Sequence, residues 1–308
     1  MRHLAPALRA EQFGNLLIFA ALIIVAAVLS DAFLTGSNLL NVLRQISITG
    51  ILAVGMTFVI ITAGIDLSVG STVGLVTVVA ATTQPLGTPS VVLIGIAVGA
   101  TVGVVNGIGI AYGHIPPFIM TLATLYVVRG VAFLYSDGLP QYGITEGFLQ
   151  LGGGATFGIP NPVIYFLGFL LLGGVLLRLT VFGRYVFAIG ASEEAARLSG
   201  VNVELYKMLV YVLSGALAAV GGLIYTSQLG IGVALAGQGY ELNAIAAVAV
   251  GGTSFFGGHG SILGTFFGAA IIGIGNNVLN LTRVDPMLQD LVKGLIILAA
   301  VLFNRRRA

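Results

Sequence analysis

Long apolar runs separated by short polar breaks dominate the chain. A helix needs about 17–25 mostly apolar residues to cross a bilayer, and such runs predict ten spans, near 14–33, 46–63, 67–84, 91–113, 118–135, 161–180, 208–228, 243–256, 261–281 and 287–303. The eighth run is short and lies beside the glycine-rich segment Gly251–Gly260, so we expect a tilted half-helix or a re-entrant piece there. The pattern predicts an all-α, polytopic membrane protein of about ten helices, some of them broken, with residues 1–308 as a single transmembrane domain.

The composition excludes a water-soluble core. Hydrophobic residues make up 57% of the chain and charged residues 8%, whereas soluble domains contain about 25% charged residues. The chain has no cysteine and its three histidines are far apart in sequence, so we expect neither a disulfide nor a metal site. The first apolar run is long and further spans follow it, which favours an uncleaved span over a signal peptide.

Lysine and arginine predict how the chain sits in the membrane, because cytoplasmic loops carry an excess of them. With ten spans, nine of these residues fall on the side that holds both termini, and only Arg44 and Arg283 fall on the opposite side. Both termini and the loop between the sixth and seventh spans are therefore expected to be cytoplasmic. The largest external loop is expected at Ser136–Pro160, which is rich in glycine and proline.

A charged segment, Gly183–Lys207, interrupts the apolar chain between the sixth and seventh spans. Seven of the chain's 24 charged residues (13 basic and 11 acidic in all) fall at positions 178–207: Arg178, Arg184, Glu193, Glu194, Arg197, Glu204 and Lys207. Considered by its residues alone, this segment is either a solvated loop that follows the distribution of positive charge or a docking surface for a soluble partner.

A short amphipathic helix is predicted within this segment. Ser192 is suited to cap it, Glu193 and Glu194 lie at its positive end, and Arg197 lies near its negative end. The spacing predicts ion pairs of Arg197 with both glutamates, and Gly200 is suited to end the helix in a left-handed conformation. If the segment is a docking surface for a soluble partner, Glu193, Glu194 and Arg197 are expected to form the contact surface. The opposite face is expected to hold Ala191, Ala195 and Leu198.

Two glycine-rich segments have a similar order of features. Ala53–Gly74 and Ala247–Gly268 each begin as an apolar run, break at glycine and resume with a serine and a spaced glycine. Transporters often contain internal repeats with broken helices at corresponding positions. Either a true repeat or a shared glycine-rich composition accounts for the similarity.

Three sequence blocks resemble one family of transport proteins. They are FGRYVFAIGASEEAARLSGVNV at Phe182–Val203, AVGMTFVIITAGIDLSVGS at Ala53–Ser71, and the segment Gly239–Asn280, which contains AVGGTSFFGGHGSILG. All three resemble the ribose-type permeases, the membrane subunits of bacterial ATP-binding-cassette importers for monosaccharides. The resemblance implies a coupling helix, which inserts into a cleft of the ATPase, formed by Ser192, Glu193, Glu194, Ala195, Ala196, Arg197 and Gly200.

The same resemblance implies several partners. They are an ATPase subunit in two copies or as one tandem chain, a periplasmic sugar-binding protein, and a second permease copy in a homodimer or heterodimer. The bacterial inner membrane is the expected location, with lipid around the spans and no role for nucleic acid. ATP and Mg²⁺ are expected on the ATPase, with no cofactor in this chain. Ribose or another pentose is the default substrate; galactose, galactofuranose and a furanose-like signalling molecule are alternatives.

Several polar residues lie within or between the predicted spans. Asp66 is expected either to cap the helix that follows it or to contact the cytoplasmic mouth or the ATPase, and the cap is favoured. In the ninth span, Asn276, Asn277 and Asn280 suit either a hydroxylated substrate or hydrogen bonding between helices. Weaker candidates for the translocation path are Thr57, Thr62, Asn106 and Thr121. Arg129 lies within a span and needs a partner, whereas Asp290 and Lys293 are spaced as a local pair near the end of the last span.

Missing motifs restrict the function class. The two lysines, Lys207 and Lys293, do not occur in a GxxxxGK[ST] sequence, so the chain has no P-loop for ATP hydrolysis. An ion-coupled secondary transporter is the alternative transport mechanism, but it needs ionisable or carbonyl-rich sites at mid-membrane. An integral membrane enzyme is disfavoured because the sequence has no nucleophile–base or metal-binding pattern. The chain is therefore predicted to be a transport subunit and not an enzyme.

Overall fold

A computed structural model describes residues 4–285 and, beyond them, residues 288, 291, 294 and 295. The helices in this part of the chain are α1 (Leu4–Leu29), α2 (Gly36–Ile61), α3 (Val69–Thr82), α4 (Thr88–Ala111), α5 (Pro117–Tyr135), α6 (Glu146–Gly153), α7 (Asn161–Leu179), α8 (Val181–Ala191), α9 (Glu193–Leu198), α10 (Val203–Leu229), α11 (Tyr240–Val250) and α12 (Ile262–Leu281). A 3₁₀ turn spans Gln84–Leu86, and β1 (Ala155–Thr156) pairs antiparallel with β2 (Ile159–Pro160).

The helices confirm an all-α, polytopic membrane protein. Six of the described helices are long and apolar enough to cross a membrane: α2, α4, α5, α7, α10 and α12. Apolar stretches of α1, α3 and α11 match three further predicted spans but are shorter. Ten complete crossings remain a prediction, and the tenth predicted span at 287–303, with Asp290 and Lys293, lies outside the described residues.

Three predicted spans begin at least five residues too late in the sequence, the first of them because helix α1 begins at Leu4 instead of residue 14. Helix α2 begins at Gly36 instead of residue 46, so Arg44 lies inside a helix and not in a loop. Helix α10 begins at Val203 instead of residue 208 and includes Glu204 and Lys207 in its first turns. Charged residues end an apolar run in the sequence but do not end a helix, because long charged side chains can extend from its first turns toward water.

Helices α2 and α10 lie at the centre of the bundle, and small residues bring α4 and α10 close together. A Cβ at Gly99 of α4 would overlap the carbonyl oxygen of Gly215 of α10, and a Cβ at Gly215 would overlap that of Gly99. This is the close backbone approach that small residues allow between membrane helices.

The eighth predicted span is a short helix preceded by a non-helical linker. Helix α11 has 11 residues, about 16 Å of helix, whereas the hydrocarbon core is about 30 Å thick. Residues 230–239 run along α3, with Gly232 beside Ala81 and Gly237 beside Gly70. Helix α11 is therefore too short to cross that core by itself, and it lies at 240–250 and not at 243–256; whether it is a tilted half-helix or a re-entrant piece stays a prediction.

Arg129 supplies hydrogen bonds that the non-helical linker needs. Its guanidinium donates to the carbonyl oxygens of Ala234 and Ala236, and the Thr77 hydroxyl donates to the Val233 carbonyl at 2.9 Å. Irregular backbone at membrane depth requires such partners, because lipid offers none. Arg129, the charged residue within the fifth predicted span, thus has backbone carbonyls as its hydrogen-bond partners, as is common for arginine inside a membrane.

Candidate functional site

The charged segment folds as two consecutive helices, α8 and α9, between α7 and α10. Thr180 Oγ1 accepts the Gly183 N–H at 3.2 Å and caps α8, and Ser192 Oγ accepts the Ala195 N–H at 3.2 Å and caps α9. After α9, Gly200 adopts a left-handed conformation with φ of 83°. Side-chain caps and a left-handed glycine are local signals, which is why the helix at 193–198 is readable from sequence.

Ion pairs attach α9 to the first turns of α10. Glu193 Oε2 accepts from Lys207 Nζ at 2.9 Å, and Arg197 pairs with both Glu204 and, at 3.5 Å, Glu193. The expected pair of Glu194 with Arg197 is not among the ion pairs of the described residues, because Arg197 turns toward Glu204 instead. The hydrogen bond to Glu204 and its negative charge raise the pKa of the Arg197 guanidinium, which stays positively charged.

One face of α9 is buried and another is free. Ala196 packs in a small apolar cluster with Ile189 of α8 and Val203 of α10. Leu198 is 83% exposed, and it shares a face with Glu194 and Ala195, which are also exposed. We call Glu194, Ala195 and Leu198 the outer face of α9. Glu193 and Arg197 pair with residues of α10, but their side chains stay 46% and 50% exposed, so a contact surface that includes both of them with Glu194 stays a prediction.

Asp66 lies in the turn between α2 and α3 and is 1% exposed. Its Oδ1 accepts the Ser68 N–H at 3.0 Å and the Ser68 hydroxyl at 2.6 Å, and its Oδ2 accepts the Ser214 hydroxyl of α10 at 2.8 Å. The carboxylate therefore binds the turn just before α3, which begins at Val69. It also connects this turn to α10, and its burial leaves no surface for a soluble partner in this conformation.

Three candidate path residues form hydrogen bonds between or beside helices. The hydroxyls of Thr57 and Thr265 lie 2.6 Å apart between α2 and α12. Asn277 and Asn38 exchange two amide hydrogen bonds, at 2.9 and 3.0 Å, between the same two helices. Asn106 of α4 donates to the Ser68 hydroxyl at 2.8 Å.

The structure does not gather these candidates around one cavity. Asn38 and Thr57 are separated by 19 positions in one helix, which places them about 28 Å apart. Asn276 is half-buried and Asn280 is exposed near the end of α12. Two apolar cavities, of about 730 and 360 Å³, lie beside α7 and α12. Their linings do not match the polar surface that a hydroxylated substrate requires.

Comparison with known proteins identifies the family. A family model described as "Branched-chain amino acid transport system / permease component" matches residues 38–301, which is most of the chain. The chain belongs to this permease family. It is therefore a transport component, in agreement with its lack of a P-loop sequence.

Curated relatives resemble the permease over nearly its whole length. It is 44% identical to the ribose import permease protein RbsC of Bacillus subtilis, over 97% of this chain and 94% of the relative. It is 40% identical to the L-arabinose transport system permease protein AraH of Escherichia coli (96% and 90%) and 36% identical to the D-allose transport system permease protein AlsC (96% and 92%). No solved structure gives a significant match.

Sequence reasoning did not single out two residues that the structure places at these sites. Leu198 was placed on the face opposite the contact surface, although a leucine on a short polar helix is itself a docking signal. Ser214 binds Asp66 across 148 positions, and a serine in an apolar run has no local pattern that predicts this contact.

We predict that Asn38 and Asn277 act as a pair in folding. Replacing either with alanine leaves the other amide without its partner, so the double variant should be less destabilised than the sum of the single variants. Hydrogen bonds between membrane helices contribute roughly 0.6–1.7 kcal/mol, and the coupling free energy is expected in this range. A double-mutant cycle of unfolding in detergent measures it, and a coupling of zero would contradict the pairing.

Proposed function

We propose that the permease is the membrane-spanning subunit of an ATP-binding-cassette importer that moves a monosaccharide, ribose or a related sugar, across the bacterial inner membrane. The observation that carries this proposal is the 36–44% identity, over nearly the whole chain, to permeases named for ribose, arabinose and allose. The chain has no P-loop sequence, so the energy must come from a separate ATPase that holds ATP and Mg²⁺. Transport proceeds by alternating access.

The outer face of α9 is the proposed ATPase contact. It is exposed, it ends in a large apolar side chain, and it is fixed to α8 and α10 by apolar packing and ion pairs. The distribution of lysine and arginine supports a cytoplasmic position for this helix and for both termini. A periplasmic sugar-binding protein delivers the sugar at the opposite side, where the segment 136–160 lies in this topology.

A second permease copy completes the proposed path. The two large cavities beside α7 and α12 are apolar, and a hydroxylated sugar needs hydrogen-bonding groups along its route. A path between two copies, in a homodimer or heterodimer, supplies polar groups from both chains along the route. Asn276 and Asn280 are the candidates for this surface, because Asn276 is only half-buried and Asn280 is exposed.

Ion-coupled transport is the competing mechanism, and no specific observation favours it. The buried carboxylate of Asp66 is occupied by Ser68 and Ser214, as expected for a structural group. The named relatives are permeases for sugars, and the three sequence blocks resemble ATP-driven importers.

Reconstitution of the permease in proteoliposomes tests the proposal. Uptake of labelled ribose, arabinose and allose is measured with the permease alone, with its ATPase, and with the ATPase and binding protein together. We expect uptake of one sugar only with all components and ATP. Uptake by the permease alone under a proton or sodium gradient would establish the ion-coupled mechanism instead.

A further inference from the structure

Helix α8 ends in direct backbone contact with two breaks between helices. A Cβ at Gly190, in its last turn, would overlap the carbonyl oxygen of Ile61 and lie against the backbone nitrogen of Gly258. Ile61 is the last residue of α2, and Gly258 lies in the turn between α11 and α12. Only glycine permits this approach, because any side chain at position 190 would separate the three segments.

The two breaks are also bonded to each other at this point. Gly258 N donates to the Ile61 carbonyl at 2.9 Å, and Gly257 and Gly258 have φ values of 83° and 73°, in the left-handed region that favours glycine. We call Gly190, Ile61 and Gly258 the glycine junction. It joins α8, the end of α2 and the turn before α12 through backbone atoms, with no flexible side chain between them.

Helix α9 is connected to this junction through α8. The cluster of Ile189, Ala196 and Val203 packs α9 onto α8 one residue before Gly190. A displacement of α9 therefore reaches Gly190 through the packed side chains of this cluster and the peptide bond that joins Ile189 to Gly190. Packed interfaces of this kind transmit small displacements because they do not deform continuously.

The glycine junction leads to the two helices whose interface contains the candidate path residues. Helices α2 and α12 pack together through Thr57 and Thr265 and through Asn38 and Asn277. The turn that follows α2 contains Asp66, which accepts a hydrogen bond from Ser214 of α10. A shift at the junction would act on α2 and α12 at the same time.

We propose that the glycine junction is the point where motion of α9 is transmitted to α2 and α12, with Gly190 as the positioning residue. This inference rests on the proposed function, in which a partner ATPase acts on α9. Gly190 contacts neither substrate nor nucleotide in this assignment; it sets the distance between α8 and the two breaks.

The first test is Gly190→Ala in the complete complex of permease, ATPase and binding protein. The added methyl group should separate α8 from Ile61 and Gly258. We expect ATP hydrolysis within about twofold of the wild type and sugar uptake at least tenfold lower. The matched control is Gly174→Ala in α7, where a Cβ meets no atom within 4 Å, and both activities should be unchanged. Uptake and hydrolysis that are both normal in Gly190→Ala would overturn the proposal.

An engineered disulfide, formed by oxidation and broken by reduction, tests the proposal if Gly190→Ala fails to fold. The chain contains no cysteine, and a Cβ at position 258 would lie 3.3 Å from the Cβ of Ala191, close to the range of about 3.5–4.5 Å found in disulfides. The double variant Ala191→Cys/Gly258→Cys should lose uptake on oxidation and regain it on reduction. The two single-cysteine variants control for the strain of a side chain at position 258 and for the oxidant.

The outcomes separate this proposal from the function on which it rests. If the wild-type complex shows no ATP-driven uptake, the proposed function is wrong and the variants are not interpreted. If the wild type transports sugar and the oxidised double variant, with its disulfide shown by gel mobility, transports equally well, the junction does not move during transport and the proposal is overturned. Reversible loss of uptake in the oxidised variant supports it.

Discussion

Replacing Asp66 with alanine is expected to lower the apparent melting temperature of the permease in detergent by roughly 5–10 °C and to reduce its amount in the membrane. The carboxylate accepts three hydrogen bonds at a site with 1% exposure. Alanine would leave the Ser68 N–H and the hydroxyls of Ser68 and Ser214 without this acceptor. Each buried group left unsatisfied costs about 1–3 kcal/mol, and hydroxyl rotation offsets part of the loss.

Two further variants separate hydrogen bonding from charge at this site. Asp66→Asn retains an acceptor for Ser68 and offers an amide donor to the Ser214 oxygen, so its melting temperature should fall less than half as far as that of the alanine variant. Asp31→Ala removes an exposed acid between α1 and α2 and should have no effect. A melting temperature for Asp66→Ala equal to that of the wild type would contradict a structural role for the carboxylate.

Most of the helices could be predicted because the bilayer imposes a length and a composition on each span. The first residues of a helix were predicted less well where a charged residue lies inside the helix, as Arg44 does in α2 and Lys207 does in α10. The predicted spans leave a gap at 229–242 where the linker before α11 lies, but the packing of this linker against α3 was not predicted. Its backbone is held by Arg129 and Thr77 from other helices, and a sequence does not indicate which distant side chains will satisfy irregular backbone.

The candidate site shows the same division between local and tertiary signals. The caps at Ser192 and Gly200 follow from residues within a few positions of each other, so the helix between them was predictable. The Glu193–Arg197 pair follows from its i,i+4 spacing and is confirmed. The pairs of Glu193 with Lys207 and of Arg197 with Glu204 instead depend on how α10 approaches α9. That approach is set by the burial of Val203 against Ile189 and Ala196, which no spacing rule within the helix includes.

Replacing Leu198 with aspartate is expected to weaken binding of the partner ATPase about 30-fold, which corresponds to about 2 kcal/mol. Leu198 is 83% exposed, so the change removes no packing within the permease, and the amount of folded protein should be unchanged. In the proposed complex the side chain is buried in the ATPase cleft, where a carboxylate would be desolvated without a partner. Co-purification of the complex over a concentration series measures the loss.

Controls on the permease distinguish this contact from a general effect of surface charge. Leu139→Asp introduces the same change at a 65% exposed leucine in the segment 136–160, on the side opposite α9 in the proposed topology, and ATPase binding should stay at the wild-type level. Leu198→Ala should give an intermediate loss, because it removes the apolar contact without adding a charge. Equal ATPase affinity for Leu198→Asp and the wild type would place the contact elsewhere than on the outer face of α9. A loss in both Leu198 variants, with normal binding in the control at position 139, would locate the contact on α9, which the ion pairs of Glu193 and Arg197 hold in position on α10.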